Sequence, residues 1–171
     1  KQRYQSAQEV IDVVKRYREQ QVPLDCVVQD WQYWGDDNHW NAMEFLNTNY
    51  ADYQRMNDEV HAMNAKLMIS VWPDFGPSTK QYAEFGQAGR LIPIQSYPNN
   101  VATRPYDCYD ATTRDRYWSY LYDGLMSKGI DALWLDSAEP DDFSNKGTDY
   151  DYVTNGREAS PGTIRGDYSM S

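Results

Sequence analysis

Gly129-Ile130-Asp131-Ala132-Leu133-Trp134-Leu135-Asp136-Ser137-Ala138-Glu139-Pro140-Asp141-Asp142 is the stretch on which the reading of this chain turns. Its first half is a short apolar run behind a glycine, the pattern of a strand buried in a parallel sheet, and its second half gathers acids where that strand must end. Charged side chains are ordinarily solvated, so a loop rich in Asp and Glu is most simply a wet surface. An aspartate at the C-terminal end of a strand, beside a tryptophan, is another matter, because parallel barrels carry their reacting groups there. Asp136 is therefore the first candidate for chemistry.

Immediately upstream, Thr112 or Thr113 is expected to cap a helix whose buried face carries Tyr117, Trp118, Leu121 and Leu125, with Gly129 ending it. Before that helix, residues 90–110 read as a long loop punctuated by Pro93, Pro98, Asn99, Asn100 and Pro105. An irregular stretch of that length in a compact domain is more often a functional or capping loop than a spacer. At the N-terminal side, Ser6 and Glu9 form a capping-box pattern. Val10, Ile11, Val13, Val14 and Tyr17 follow at helical spacing, which predicts a helix over 7–20. Pro23 closes it, and Leu24-Asp25-Cys26-Val27-Val28 reads as a buried strand running into Gln29-Asp30-Trp31-Gln32-Tyr33-Trp34-Gly35. A loop with a short turn of helix is expected over 36–49. Tyr53, Met56, Val60 and Met63 predict a helix over 51–64, and a strand over 66–71 is stopped by Trp72-Pro73-Asp74-Phe75-Gly76-Pro77. A shorter helical pattern covers 78–89. Beyond Pro140 the sequence is polar through Ser171, with no convincing helix or strand.

Helices alternating with apolar strands imply an α/β fold with right-handed crossovers and a parallel sheet. Three such strands are most simply about three β/α units of a partial (β/α)8 TIM barrel. On this reading residues 1–142 are the partial barrel, and 143–171 are a polar loop or tail leading to the rest of it. The alternative, a small doubly wound sheet, lacks any glycine-rich phosphate loop after a strand.

Composition narrows the chemistry. The 171 residues carry 26 acidic against 16 basic side chains, a net charge of −10. That balance argues against nucleic acid or an anionic membrane surface as partners. No apolar run reaches membrane-spanning length, so no membrane insertion is expected, and no signal peptide is evident at a terminus that opens on Lys1. Cys26 and Cys108 lack metal-ligand spacing, and Cys26 reads as a small buried hydrophobe. With His39 and His61 the only histidines, a histidine-based triad or histidine-rich metal site is disfavoured, and carboxylates must carry any acid–base work. Fifteen Tyr and six Trp are unusually many. Their flat apolar faces with a polar handle suit sugars.

The strand ends collect Asp30 and Trp31, then Trp72 and Asp74, then Trp134, Asp136 and Glu139. Carboxylates ringed by tryptophans are what glycoside hydrolysis requires, and a Mg²⁺ or Ca²⁺ site built from the same acids is the competing reading. A non-catalytic sugar-binding module reusing the tryptophans is a third.

Four motifs in order, Val27-Val28-Gln29-Asp30-Trp31-Gln32-Tyr33-Trp34-Gly35, Ser70-Val71-Trp72-Pro73-Asp74-Phe75-Gly76-Pro77, Tyr106-Asp107-Cys108-Tyr109-Asp110 and Asp131-Ala132-Leu133-Trp134-Leu135-Asp136-Ser137-Ala138-Glu139-Pro140-Asp141, resemble glycoside hydrolase family 31. Within it they most resemble the bacterial α-xylosidases that act on xyloglucan fragments, while α-glucosidases and α-transglucosylases share the framework. The resemblance implies a retaining α-glycosidase that needs no cofactor and no metal, with an oligosaccharide substrate. It implies that Asp136 is the nucleophile, that Glu139 is a supporting acid, that Asp30 holds hydroxyls of the sugar in the minus-one subsite, and that Trp31, Trp72 and Trp134 wall that subsite. The acid/base aspartate of the family has no match here and is expected beyond Ser171, so the chain alone is expected to be inactive and to work with the remainder of the same enzyme. Family members occur in the cytoplasm and the periplasm, so the resemblance leaves the compartment open.

Overall fold

In the computed structural model, residues 3–138 are described in full, together with the backbone of two short strands at 152–154 and 157–159. Along the chain the elements are α1 (Ala7–Glu19), β1 (Cys26–Gln29), α2 (Tyr53–Ala62), β2 (Lys66–Val71), β3 (Asp74–Phe75), α3 (Lys80–Gln87), β4 (Arg104–Pro105), α4 (Ala111–Gly124), β5 (Ala132–Leu135), β6 (Tyr152–Thr154) and β7 (Arg157–Ala159). Two 3-10 turns, Asp37–His39 and Thr48–Tyr50, fill the expected loop between β1 and α2, and a third, Met126–Lys128, follows α4. The alternation of helix and strand read from the sequence holds. The chain divides into two compact units, Lys1–Gly35 with Met43–Val71 and Tyr120–Trp134, and Asp36–Ala42 with Trp72–Ser119 and Leu135–Ser171.

The first unit is organised on a three-stranded sheet in the order β1-β2-β5. β1 and β2 are parallel, with Cys26 opposite Lys66 and Gln29 opposite Ile69. Asp131, just ahead of β5, donates its amide to Leu67 O at 3.0 Å, so β2 and β5 start side by side and run the same way. Leu67, Ile69 and Val71 of the central strand are fully buried. Against the sheet pack Val10, Ile11 and Val14 of α1 and Met56 and Val60 of α2, the apolar faces read from their spacing. The α1 start is capped by Ser6, whose hydroxyl accepts from the Glu9 amide at 3.2 Å. The Glu9 carboxylate returns one residue earlier than in the standard box, to the Gln5 amide at 2.6 Å. Arg18 then ties three chain ends together, donating to Met63 O, Leu24 O and Asn64 O at 2.8, 2.7 and 3.0 Å. Gly129 takes a left-handed φ of 99° to turn the chain into β5.

Within the second unit, β3 and β4 form a two-stranded antiparallel ribbon, Asp74 opposite Pro105 and Phe75 opposite Arg104. Phe75 is its core, edge-on to Phe85 of α3 and to Tyr117 of α4 at centroid distances of 5.7 and 5.9 Å.

Several expectations are corrected. The β5 run does not form a strand buried on both faces: Ala132 to Trp134 are half-buried and Leu135 is 65% exposed. As the last strand in the sheet order it has one described neighbour, and an apolar sequence cannot by itself supply cover. Trp118 is not core but 53% exposed. The inward face of α4 is set by Leu121, with Leu125 buried just beyond the helix end, and on a 100°-per-residue helix Trp118 points with the exposed Tyr122 instead. The α4 cap is Asp110 rather than a threonine, its carboxylate accepting the Thr113 amide at 2.7 Å and hydroxyl at 3.1 Å. Two short regular pieces escaped the sequence reading: the β3–β4 ribbon, within a stretch read as loop, and the antiparallel pair β6–β7 beyond Pro140.

Candidate active site

Asp30 follows β1 directly and is 2% exposed, so its carboxylate is placed rather than solvated. Its Oδ1 accepts the Trp31 amide at 2.9 Å, a local turn that directs the side chain at the strand end. Because strand side chains alternate, Cys26, Val28 and Asp30 share one face of β1, and Met68 lies opposite Val28. That face opens on a cavity of about 600 Å³ that Asp30 lines together with Met68 and Trp134. Two of the expected residues, Asp30 and Trp134, thus both line one concavity, whose other walls include Leu24 ahead of β1 and Val13 and Tyr17 of α1. Trp31 is half-buried, with the Arg3 guanidinium 4.8 Å from its ring centroid.

In the second unit, Trp72 follows β2 directly. Its main chain is clamped: Asn41 accepts from the Trp72 amide at 3.1 Å and donates back to the Trp72 carbonyl, and the Tyr117 hydroxyl adds a bond to that carbonyl at 2.8 Å. Asn41 does this from a left-handed φ of 55° and is fully buried. The Trp72 ring stacks on Tyr97 at 5.6 Å and 21°, and Trp40 stands edge-on to it at 4.9 Å. Asp136, half-buried, comes directly after the last residue of β5, and Ser137 behind it turns with a φ of 53°. Glu139 lies outside the described residues.

Three acids from the sequence motifs make structural bonds. Asp74 is fully buried in β3 and accepts the Ser96 hydroxyl at 2.9 Å through Oδ2, so it braces the loop that carries Ser96. Asp107 accepts the Tyr109 amide at 3.0 Å. At Asp110 the Thr113 amide, with the Thr113 hydroxyl and Arg90, holds the carboxyl below the usual range against the effect of burial. Among the described residues no cluster of three His, Cys, Asp or Glu side chains is arranged to hold a metal ion, and no helix is long and apolar enough to cross a membrane.

The family described as the glycosyl hydrolases family 31 TIM-barrel domain matches residues 1–170. The chain belongs to glycosyl hydrolase family 31. An α-xylosidase of Saccharolobus solfataricus is 39% identical over 141 residues, 82% of this chain and 18% of that protein. Among solved structures, the family 31 α-xylosidase of Xanthomonas citri superposes with a TM-score of 0.76 at 35% identity, covering 84% of this chain and 16% of that one. A family 31 α-xylosidase from a soil metagenome, solved with xylose, gives a TM-score of 0.78 at 24% identity over 90% of this chain and 23% of its own, a likeness of fold. The chain therefore spans about a fifth of the length of the family 31 proteins it matches. Family membership fits the α/β order and the strand-end acids. It does not by itself single out Asn41, Ser96 or Tyr97, which sequence reasoning missed. The available signal was the length of the 90–110 loop, read as functional or capping without any residue being chosen within it.

Proposed function

We propose that this chain forms part of the catalytic barrel of a retaining α-glycosidase, and that its sugar is a terminal α-linked xylose on a xyloglucan-type oligosaccharide. The observation that carries the reading is the position of Asp136 directly after β5 in the sequence Trp134-Leu135-Asp136, with a second aspartate, Asp30, directly after β1 and buried. Strand ends of that kind hold the reacting groups of parallel barrels. The names borne by the 39% and 35% identical relatives support xylose over glucose.

In this reading Asp136 attacks the anomeric carbon, a β-linked glycosyl-enzyme forms, and water releases the sugar with its α configuration retained. Asp30 receives hydroxyls of the bound sugar, Trp31, Trp72 and Trp134 wall it, and Glu139 supports the nucleophile. A second carboxyl about 5–5.5 Å from Asp136 must protonate the leaving oxygen, and we assign it to none of the described residues. Residues 1–142 then belong to the barrel and 143–171 to a connecting segment, and the 171-residue chain alone turns nothing over. The bulk of the tryptophans disfavours a hydroxymethyl group, a discrimination of about 1–3 kcal/mol.

The test is to expose the complete natural protein carrying this sequence to 5-fluoro-α-xylosyl fluoride, measure its intact mass and map the labelled peptide. A xylosyl adduct on Asp136 is expected. An adduct on another residue would refute the nucleophile, labelling only by the glucosyl reagent would move the sugar to glucose, and no labelling by either would favour a sugar-binding module.

A further inference from the structure

The ring of Trp72 is held in an unusual way. Its main chain is fixed by Asn41 and Tyr117, but its indole Nε1 is buried and finds no hydrogen-bond acceptor among the described residues. No hydrogen bond from a described residue therefore sets the plane of the ring. Packing must do so, and the packing partners are Tyr97, lying nearly parallel at 5.6 Å and 21°, and Trp40, edge-on to Trp72 at 76° and to Tyr97 at 73°. Trp40 is fully buried, whereas Trp72 and Tyr97 are half-buried, so the stacked pair retains accessible surface while the third ring backs it.

Tyr97 is delivered by a braced loop. Ser96 beside it is fully buried, donates its hydroxyl to Asp74 Oδ2 at 2.9 Å and its amide to Thr103 O at 3.2 Å, and accepts the Thr103 hydroxyl at 2.6 Å. Asp74 lies two residues after Trp72. A buried carboxylate thus ties the loop that carries one ring of the stack to the segment that carries the other.

We propose that Tyr97 is a specificity-determining positioning residue: held by the Asp74–Ser96 bond, its ring fixes the plane of Trp72 and so sets how much room the sugar-facing wall leaves beyond a pentopyranose. The inference rests on the reading of Trp72 as a wall of the sugar subsite. It assigns to the 95–103 loop the selection of α-xylosides over α-glucosides, while Tyr97 itself takes no part in bond making or breaking.

The experiment compares nitrophenyl α-xyloside with nitrophenyl α-glucoside on the complete natural protein and its variants. Tyr97→Phe keeps the stack, and the ratio of kcat/KM values is expected to stay within about twofold, whereas Tyr97→Leu and Tyr97→Ala lower it about tenfold. The loss should appear mainly in KM for the xyloside, with kcat for the better substrate nearly kept. Ser96→Ala unties the loop without touching a ring and should shift the ratio the same way by about threefold. Thermal melting checks that each variant is folded. If Trp72→Ala changes the ratio while Tyr97→Leu, Tyr97→Ala and Ser96→Ala leave it unmoved, the positioning role is overturned and the subsite reading stands. If Trp72→Ala also leaves it unmoved, the subsite reading itself falls.

Discussion

The residues that open β2 and those that follow it are secured by different physics. At the opening, Asp131 accepts from His61 Nε2 at 2.7 Å, from Lys66 Nζ at 3.0 Å and from the Leu67 amide at 2.9 Å, in a setting that solvent reaches. After the strand, the Trp72 main chain is held by a neutral amide and its ring by other rings, while a buried carboxylate, Asp74, acts on it only through the loop that carries Tyr97. The first device is expected to respond to pH and salt, and the neutral bonds to the Trp72 main chain are not. In parallel barrels, the end where strands begin reads as stability and the end where they finish reads as function. The contrast fits that division if Trp72 is a wall of the sugar subsite, as proposed above, because such a wall gains from being indifferent to solution conditions.

The largest effect should come from breaking the neutral device. Asn41→Ala removes both bonds to the Trp72 main chain, leaves the part-buried Trp72 amide without its asparagine partner, and puts alanine at a left-handed φ of 55°. A loss of about 3 kcal/mol is expected in urea unfolding, unchanged between pH 5 and 8. Asn41→Gly tolerates the backbone conformation, so it should lose about 1 kcal/mol less, the difference being the cost of the left-handed alanine. A pH-dependent loss, or one below about 1 kcal/mol for alanine, would break the contrast.

How far the sequence foretold these arrangements follows the same line. Strand β2 was legible to the residue as 66–71, because a continuous apolar run closed by Pro73 admits one reading. The start of α1 was legible too, since a local hydroxyl, Ser6, caps it, whereas the cap of α3, Thr79, whose side chain accepts the Tyr82 amide at 3.1 Å, was not singled out within 78–89. Asp30 was legible as a strand-end acid. Asn41 and Tyr97 were not, because each acts on a residue some 25 to 31 positions away through contacts that exist only once the loops have closed. Asp74 shows the same limit, because its bond to the Ser96 hydroxyl, 22 positions away, has no mark in the sequence. Trp118 shows the complementary limit, since helical spacing gives a periodicity but not which of two neighbouring stripes is covered.

A smaller effect tests the charged device. Burial works to raise the Asp131 carboxyl pKa, but the Leu67 amide, His61 and Lys66 together outweigh it and leave the group below its ordinary value. A carboxyl depressed in the folded state stabilises the fold at pH values above its unfolded pKa. That contribution is lost as the pH falls past the ordinary carboxylate value and down through the depressed one. Asp131→Asn is therefore expected to cost about 1–2 kcal/mol at pH 7 and to flatten the acid limb of the stability curve, with wild type and variant converging toward pH 2. Coincident curves over that range would mean that the hydrogen bond to Leu67, which asparagine can keep, carries the whole contribution.

The smallest effect sharpens the contrast from within the charged cluster. Lys66 reaches Asp131 from a side chain that is 69% exposed, so water and salt screen the pair even though the 3.0 Å contact is well formed. Lys66→Met keeps much of the apolar stem and removes only the ammonium. It should cost less than about 0.5 kcal/mol at low salt and become neutral at 1 M NaCl, as an exposed ion pair does. The Leu67 amide, by contrast, belongs to the sheet itself and bonds the same carboxylate at 2.9 Å. If the lysine proved as costly as Asp131→Asn, the cluster would be held by charge attraction and not by the strand amide. The opening of β2 would then be an electrostatic latch, rather than a main-chain bond that charges merely favour.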